Sequence, residues 1–179
     1  MGKVQNSSSE SHKFDNLMKQ PLTFREYFGV EFTSQFIPYL RLLEKEIGHD
    51  KVIQSLQQLS IQEAEEYARE VTEARGKNDL SIFKENYNPS TPTLTLEVLE
   101  DTEDVYCIQI TECLWADCFR QANAADLGLA AVCSGDAPFA RFVNPQIDLD
   151  IEGTLMEGKP YCKLRYYVKK RASGPTPTL

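Results

Sequence analysis

Leu94-Thr95-Leu96-Glu97-Val98-Leu99, an acidic break from Asp101 to Asp104, and then Val105-Tyr106-Cys107-Ile108-Gln109-Ile110 make the stretch that decides the fold. Apolar and polar residues alternate through both runs, which is the two-residue period of a strand with one buried face. Two such runs across a short polar turn predict a β-hairpin. In the second run either Val105 and Cys107, or Tyr106, Ile108 and Ile110, form the buried set. Downstream, Ile147, Leu149 and Ile151 alternate, a Glu157-Gly158-Lys159-Pro160 turn follows, and Tyr161 to Val168 alternates again. That is a second hairpin.

Upstream the period changes to that of a helix. Phe24, Tyr27, Phe28, Phe32, Phe36 and Ile37 recur at helical spacing, with Pro38 placed to bend or interrupt the run, and Leu40 to Ile47 continue it to a stop at Gly48. Val52, Ile53, Leu56 and Leu59 predict a second helix after His49-Asp50. Ser60 with Glu63 three residues on reads as the capping box of a third, ending at Gly76. The aromatics of this half pack helices together, or one or two of them roof a ligand pocket. Asn86 to Pro92 is a connection, and helical spacing resumes from Leu114 to Val132, punctuated by Gly128. Asp136-Ala137-Pro138 opens another short helix, with Asp136 in the capping position. The order helices, hairpin, helices, hairpin predicts an α+β fold: N-terminal helices and a four-stranded, mostly antiparallel sheet with intervening helices on one face. Residues 21–171 are expected to be a single domain (helical half 21–85, sheet half 93–171), with a flexible arm at 1–20 and a disordered tail at 172–179.

The 179 residues carry 27 acidic against 19 basic side chains, a net charge of −8. That balance disfavours nucleic acid or an anionic membrane as partner, because phosphates need a concentrated positive surface. No apolar run approaches a membrane span and no secretory leader is recognisable, so a cytoplasmic location is expected. A homo-oligomer is left open. The five cysteines are then thiols rather than disulfides. Only two histidines are present, His12 and His49, neither near the cysteine-rich region, so a Cys-His or Ser-His-Asp arrangement is not expected.

Glu112-Cys113-Leu114-Trp115 and Cys133-Ser134-Gly135-Asp136 put thiols, the only Trp and charged groups into otherwise apolar sequence. Buried polar groups are costly, which points to a functional reason for them. With Gly153-Thr154-Leu155-Met156-Glu157-Gly158 and Tyr161-Cys162-Lys163-Leu164-Arg165, these pieces resemble the L-2-amino-thiazoline-4-carboxylate hydrolase family, and more distantly the 4-vinyl-reductase-type ligand-binding domains. In the former a cysteine follows the first hairpin, Cys-x-x-Asp follows the helices, and a Thr-Leu-x-x-Gly turn leads to a strand with Cys and Arg. This sequence departs from the pattern at Lys163-Leu164, where Asp-Phe is expected. The resemblance implies a hydrolase-like enzyme that opens a small cysteine-derived heterocycle, with a non-catalytic binding or sensing module of the same fold as the alternative.

The residues able to do such chemistry are Cys133 as nucleophile and Asp136 as general base for a water. Cys113, Trp115, Cys162, Arg165 and Glu112 would contact the substrate. A thiolate at Cys133 needs a nearby cation, for which Arg141 and Arg165 are candidates, and Arg165 could clamp a carboxylate. Duller roles exist for each: Asp136 as helix cap, Trp115 as packing, Cys107 and Cys118 as core filling. Strand parity puts Cys162, Leu164 and Tyr166 on one face and Arg165 on the other. No cofactor is expected. Zinc or iron on Cys113, Cys133, Cys162 and Asp136 is a minor alternative.

Overall fold

In the computed structural model, residues 23–170 are described, and the expected arm (1–20) and tail (172–179) lie outside them. Thr23 opens the first described helix with a capping box. Its side chain accepts from the Glu26 N–H, and Glu26 reaches back to the Thr23 N–H at 2.8 Å. Helix α1 (Phe24–Phe28) runs into a wider π-helical segment, Gly29–Phe36, and then α2 (Ile37–Ile47). Pro38 does not break this run. It lacks the N–H that an α-helix would spend on Ser34, and the backbone upstream is π-wound, with Ile37 N–H donating to Phe32.

Gly48 (φ 92°) stops α2 and Gly76 (φ 61°) stops α3, both as expected. Between them the structure differs from the sequence reading: α3 is one 27-residue helix, His49–Arg75. Ser60 caps nothing. It is buried in the middle of α3, where another segment crosses at very short range. That segment is a 3-10 turn, Cys133–Gly135. A Cβ on Gly135 would lie 2.8 Å from Ser60 Oγ and 2.9 Å from the Ser60 carbonyl oxygen. Small residues on both sides allow this approach, and it fixes where the next residue, Asp136, emerges.

The short α4 (Ser81–Asn86) buries Ile82 and Phe83 and leads to the sheet. Strands β1 (Leu94–Asp101) and β2 (Val105–Cys113) form the first hairpin, β3 (Ile147–Glu152) and β4 (Cys162–Val168) the second, in the order β1-β2-β4-β3. Every pairing is antiparallel. The register joins Tyr106 to Tyr166, Ile108 to Leu164 and Ile110 to Cys162, so these residues share the inner face. Cys107 pairs with Arg165 on the outer face, although its side chain is buried.

Between the hairpins lie α5 (Leu114–Gln121), α6 (Ala125–Ala131), the 3-10 turn and α7 (Asp136–Val143). Gly128 sits inside α6 rather than breaking it. One core holds both halves together: Val52, Leu56 and Phe83 from the first, Ile108, Phe119, Leu127 and Tyr166 from the second.

Candidate functional site

A cavity of about 490 Å³ opens between the helices, walled by Phe32, Tyr67, Tyr87, Trp115 and Phe139. Each ring is held by another. Trp115 meets Phe28 and Phe32 edge-on at 4.6 and 4.9 Å, and Tyr67 stacks on Phe139 at 5.4 Å. Phe139 rests in turn on Phe83. Edge and offset contacts of this kind orient aromatic rings as well as bury them. Among the described residues, the one acidic side chain on the cavity's inner wall is Asp136. Exposed Glu63 stands at the rim, with Ser60 and Ala64 on the same helix.

Asp136 is the first helical residue of α7 (φ −60°, ψ −50°), and no side chain caps that helix. The capping role open to it in the sequence is therefore unused. Burial pushes its carboxyl from the usual carboxylate range up to about 7, and among the described residues no cation or hydrogen bond counters this. An acid poised near neutrality beside a hollow is a common mark of a working group.

Cys133 precedes Asp136 by one turn. Burial raises its thiol well above the ordinary value, and Asp136, Cys113, Cys162 and Glu157 raise it further. Arg141 and Arg165 bring no relief: Arg141 pairs with Asp148 at 3.0 Å and Arg165 faces Glu100 at 3.8 Å, both at the surface. Cys113 is also raised by burial, partly offset by the Ala116 and Trp115 N–H groups at the start of α5, which point at its sulfur without closing a cap of standard geometry. Cys162 is raised by burial while its sulfur accepts from the Leu155 N–H at 3.0 Å. That bond ties β4 to the Gly153–Gly158 turn, whose Met156 is buried. Four groups picked from the sequence thus influence one another here: Cys113, Cys133, Cys162 and Asp136. With every thiol held protonated, iodoacetamide at neutral pH should modify Cys133 more slowly than a free cysteine, and Asp136→Asn should speed it. Rapid labelling of Cys133, seen by peptide mass spectrometry, would contradict this electrostatic picture.

The structure does not bring Arg165 or Glu112 to this cluster. Arg165 is on the outer sheet face, its guanidinium 5.6 Å from the Tyr167 ring centre, as strand parity requires. Glu112 is exposed and accepts from Thr95 Oγ1 at 2.5 Å. With Cys113, Arg25, Asp117 and Arg120 it lines a separate polar cleft of about 500 Å³, and Cys113 does not line the aromatic cavity. The cysteines and Asp136 do not converge as a metal cage. Among the described residues the set of ligand-type atoms within 4.8 Å of one another is Glu44, His49 and Asp126. Arg41 already bridges the two carboxylates there, at 2.8 Å to each.

Sequence reasoning left Tyr87 and Phe139 out of the site. Tyr87 lies in the Asn86-to-Pro92 connection, and the available signal was a large aromatic in a turn otherwise made of Asn, Pro, Ser and Thr. Phe139 carried no signal apart from helical spacing. Phe32 and Tyr67 fall under the pocket-roof alternative.

A four-stranded antiparallel sheet with helices on one face, bordering an aromatic hollow with one inner carboxylate among the described residues, is an α+β domain with a small-molecule-sized pocket. The family model described as L-2-amino-thiazoline-4-carboxylic acid hydrolase matches residues 30–166. The chain belongs to that family. No curated protein matches the sequence. Among solved structures, a trafficking protein particle complex subunit 3 from Naegleria fowleri, covalently bound to palmitic acid, is similar at 10% identity and TM-score 0.49, covering 81% of this chain and 97% of that one. The phenol-responsive sensory domain of the transcription activator PoxR, with phenol, is similar at 14% identity and TM-score 0.45, covering 83% and 76%. No helix among the described residues is long and apolar enough to cross a membrane.

Proposed function

We propose that this chain hydrolyses a small 2-aminothiazoline-type ring in the aromatic cavity, with Asp136 as general base and then general acid. The observation that carries the reading is a carboxylate inside an aromatic hollow, raised to about 7 by burial, free of a capping role and next to Cys133. The name of the family it belongs to supports the reaction class.

The bond changes balance with water alone. Water's oxygen adds to the ring carbon between sulfur and the two nitrogens as the carbon–nitrogen π bond opens onto nitrogen, and Asp136 takes one of water's two protons. The carbon–sulfur bond then breaks as the carbon–oxygen double bond forms. The departing sulfur receives the proton from Asp136, and water's second proton ends on the ring nitrogen or, for a ring already protonated there, leaves to solvent. The product is an N-carbamoyl amine bearing a free thiol. Sulfur is a good leaving group, so a weak acid of this strength is sufficient at the second step. Attack by water is preferred over attack by Cys133, because burial together with Asp136, Cys113, Cys162 and Glu157 opposes ionisation of that thiol. Trp115 and the facing rings offer flat surfaces to a flat ring.

The test is incubation of the full chain with 2-aminothiazoline-type rings, reading the gain of one water by mass spectrometry and the new thiol with a chromogenic thiol reagent. Turnover that persists in Cys133→Ser and disappears in Asp136→Asn is expected. Saturable binding with no ring opening would instead assign a binding or sensing module.

A further inference from the structure

We propose that the molecule held against Asp136 is a small flat cation with an amidinium-type group and no carboxylate of its own, of which 2-aminothiazoline lacking the 4-carboxyl group is the simplest case. This deepens the reading above by naming the substrate class, and it rests on the aromatic cavity being the working site.

The first support is the wall. Phe32, Tyr67, Tyr87, Trp115 and Phe139 surround the space, and the faces of such rings carry negative charge density that attracts a cation. The second is the charge of the lining. Asp136 is on the inner wall and Glu63 at the rim, while among the described lining residues there is no lysine or arginine. An amidinium presents N–H donors that one oxygen of a carboxylate can accept, which leaves the second oxygen for the attacking water. A ligand of this kind supplies the counter-charge that the described residues do not give Asp136. It also leaves the aromatic rings and the carboxylate acting in the same direction.

A carboxylated ring meets the opposite conditions. Its own carboxylate would face Asp136 with Glu63 behind it, and like charges so placed are disfavoured. Arginines suited to a carboxylate occur in the separate polar cleft that Cys113 lines, as Arg25 and Arg120. Arg25 there is already paired with Asp117 at 3.1 Å. The two hollows thus differ in charge, and the aromatic one selects against an acid.

Isothermal titration of the full chain with two probes, 2-amino-2-thiazoline and 2-aminothiazoline-4-carboxylate, tests this. The uncarboxylated ring is expected to bind at least roughly tenfold tighter. Asp136→Asn should weaken it by about tenfold or more. Glu63→Gln, an exposed position that leaves the fold alone, should weaken it about twofold to threefold. Equal or tighter binding of the carboxylated ring, binding of that ring that depends on Arg120, or no binding of the cation each overturns the proposal. Turnover separates the two readings. A cation bound but never opened removes the hydrolase reading and keeps this one. A carboxylated ring opened in preference keeps the hydrolase and removes this one.

Discussion

Replacing Asp136 by asparagine is expected to lower kcat/KM for ring opening by roughly 10²–10⁴-fold, the range that one general acid–base group contributes. Asparagine keeps the size and some of the polarity of the side chain but takes no proton from water. It also returns none to the departing sulfur. In the unsubstituted chain the same carboxylate sets an acid limb: kcat/KM should rise as pH passes through about 7, where Asp136 ionises. The groups coupled to it are Cys133, Cys113, Cys162, Tyr87 and Tyr166, all raised by burial and therefore neutral across that range, with Glu63 at the rim. A pH–rate profile flat from pH about 5 to 8 would remove Asp136 from the mechanism.

The same substitution should leave the fold at least as stable. A carboxyl that ionises near 7 when folded and in the ordinary range when unfolded binds more protons in the folded state between those values. Stability therefore falls as pH rises from about 4 to about 7, and the loss stays constant above that. Its size is on the order of a few kcal/mol. Asparagine removes the ionisation and with it this loss. The Tm of Asp136→Asn should then match or exceed that of the parent at pH 8, with the margin narrowing towards pH 5. A group kept in place against stability is better explained by function than by packing.

How much of this could be read from the chain depends on the distance over which each feature is specified. The hairpins were legible because strand alternation is local, and Tyr106, Ile108 and Ile110 needed only a partner face to decide between the two registers. Gly48 and Gly76 were legible as stops for the same reason. Ser60 was misread because Ser-x-x-Glu looks like a cap whenever the residue facing it is unknown. That residue is Gly135, 75 positions further on by subtraction of the two numbers, and their close contact makes Ser60 a core position. The family pattern led to Cys113, Cys133, Asp136 and Cys162, which do influence one another. It did not reveal that Asp136, and none of the three thiols, lines the hollow, nor that this hollow is aromatic, because Tyr67, Tyr87 and Phe139 come from three separate elements. Nor could it show that Arg141 and Arg165 are engaged at the surface, since Asp148 and Glu100 have no periodic relation to them.

The largest effect on stability is expected at a residue behind the site. Phe83 is fully buried, stacks on Tyr166 at 4.3 Å with an angle of 22°, and meets Phe139 edge-on at 5.5 Å. It thus joins the inner face of the sheet to a ring of the cavity wall. Phe83→Ala should destabilise the chain by about 3–5 kcal/mol, from lost burial and from a void that rings on two different elements cannot both fill. Typical domains have only about 5–15 kcal/mol in total, so this is a large share. The urea midpoint should drop with its slope unchanged. Because Phe139 then loses its support, ligand affinity should fall as well, even in buffer where the variant remains folded. Phe142→Ala, which removes a ring of equal size from a position 40% exposed on α7, should cost well under half as much. Comparable losses for the two would mean that α7 is stabilised along its length and that Phe83 has no special part in holding the cavity open. A much larger loss at Phe83, accompanied by weaker binding, would tie the sheet's inner face to the shape of the site through that one ring.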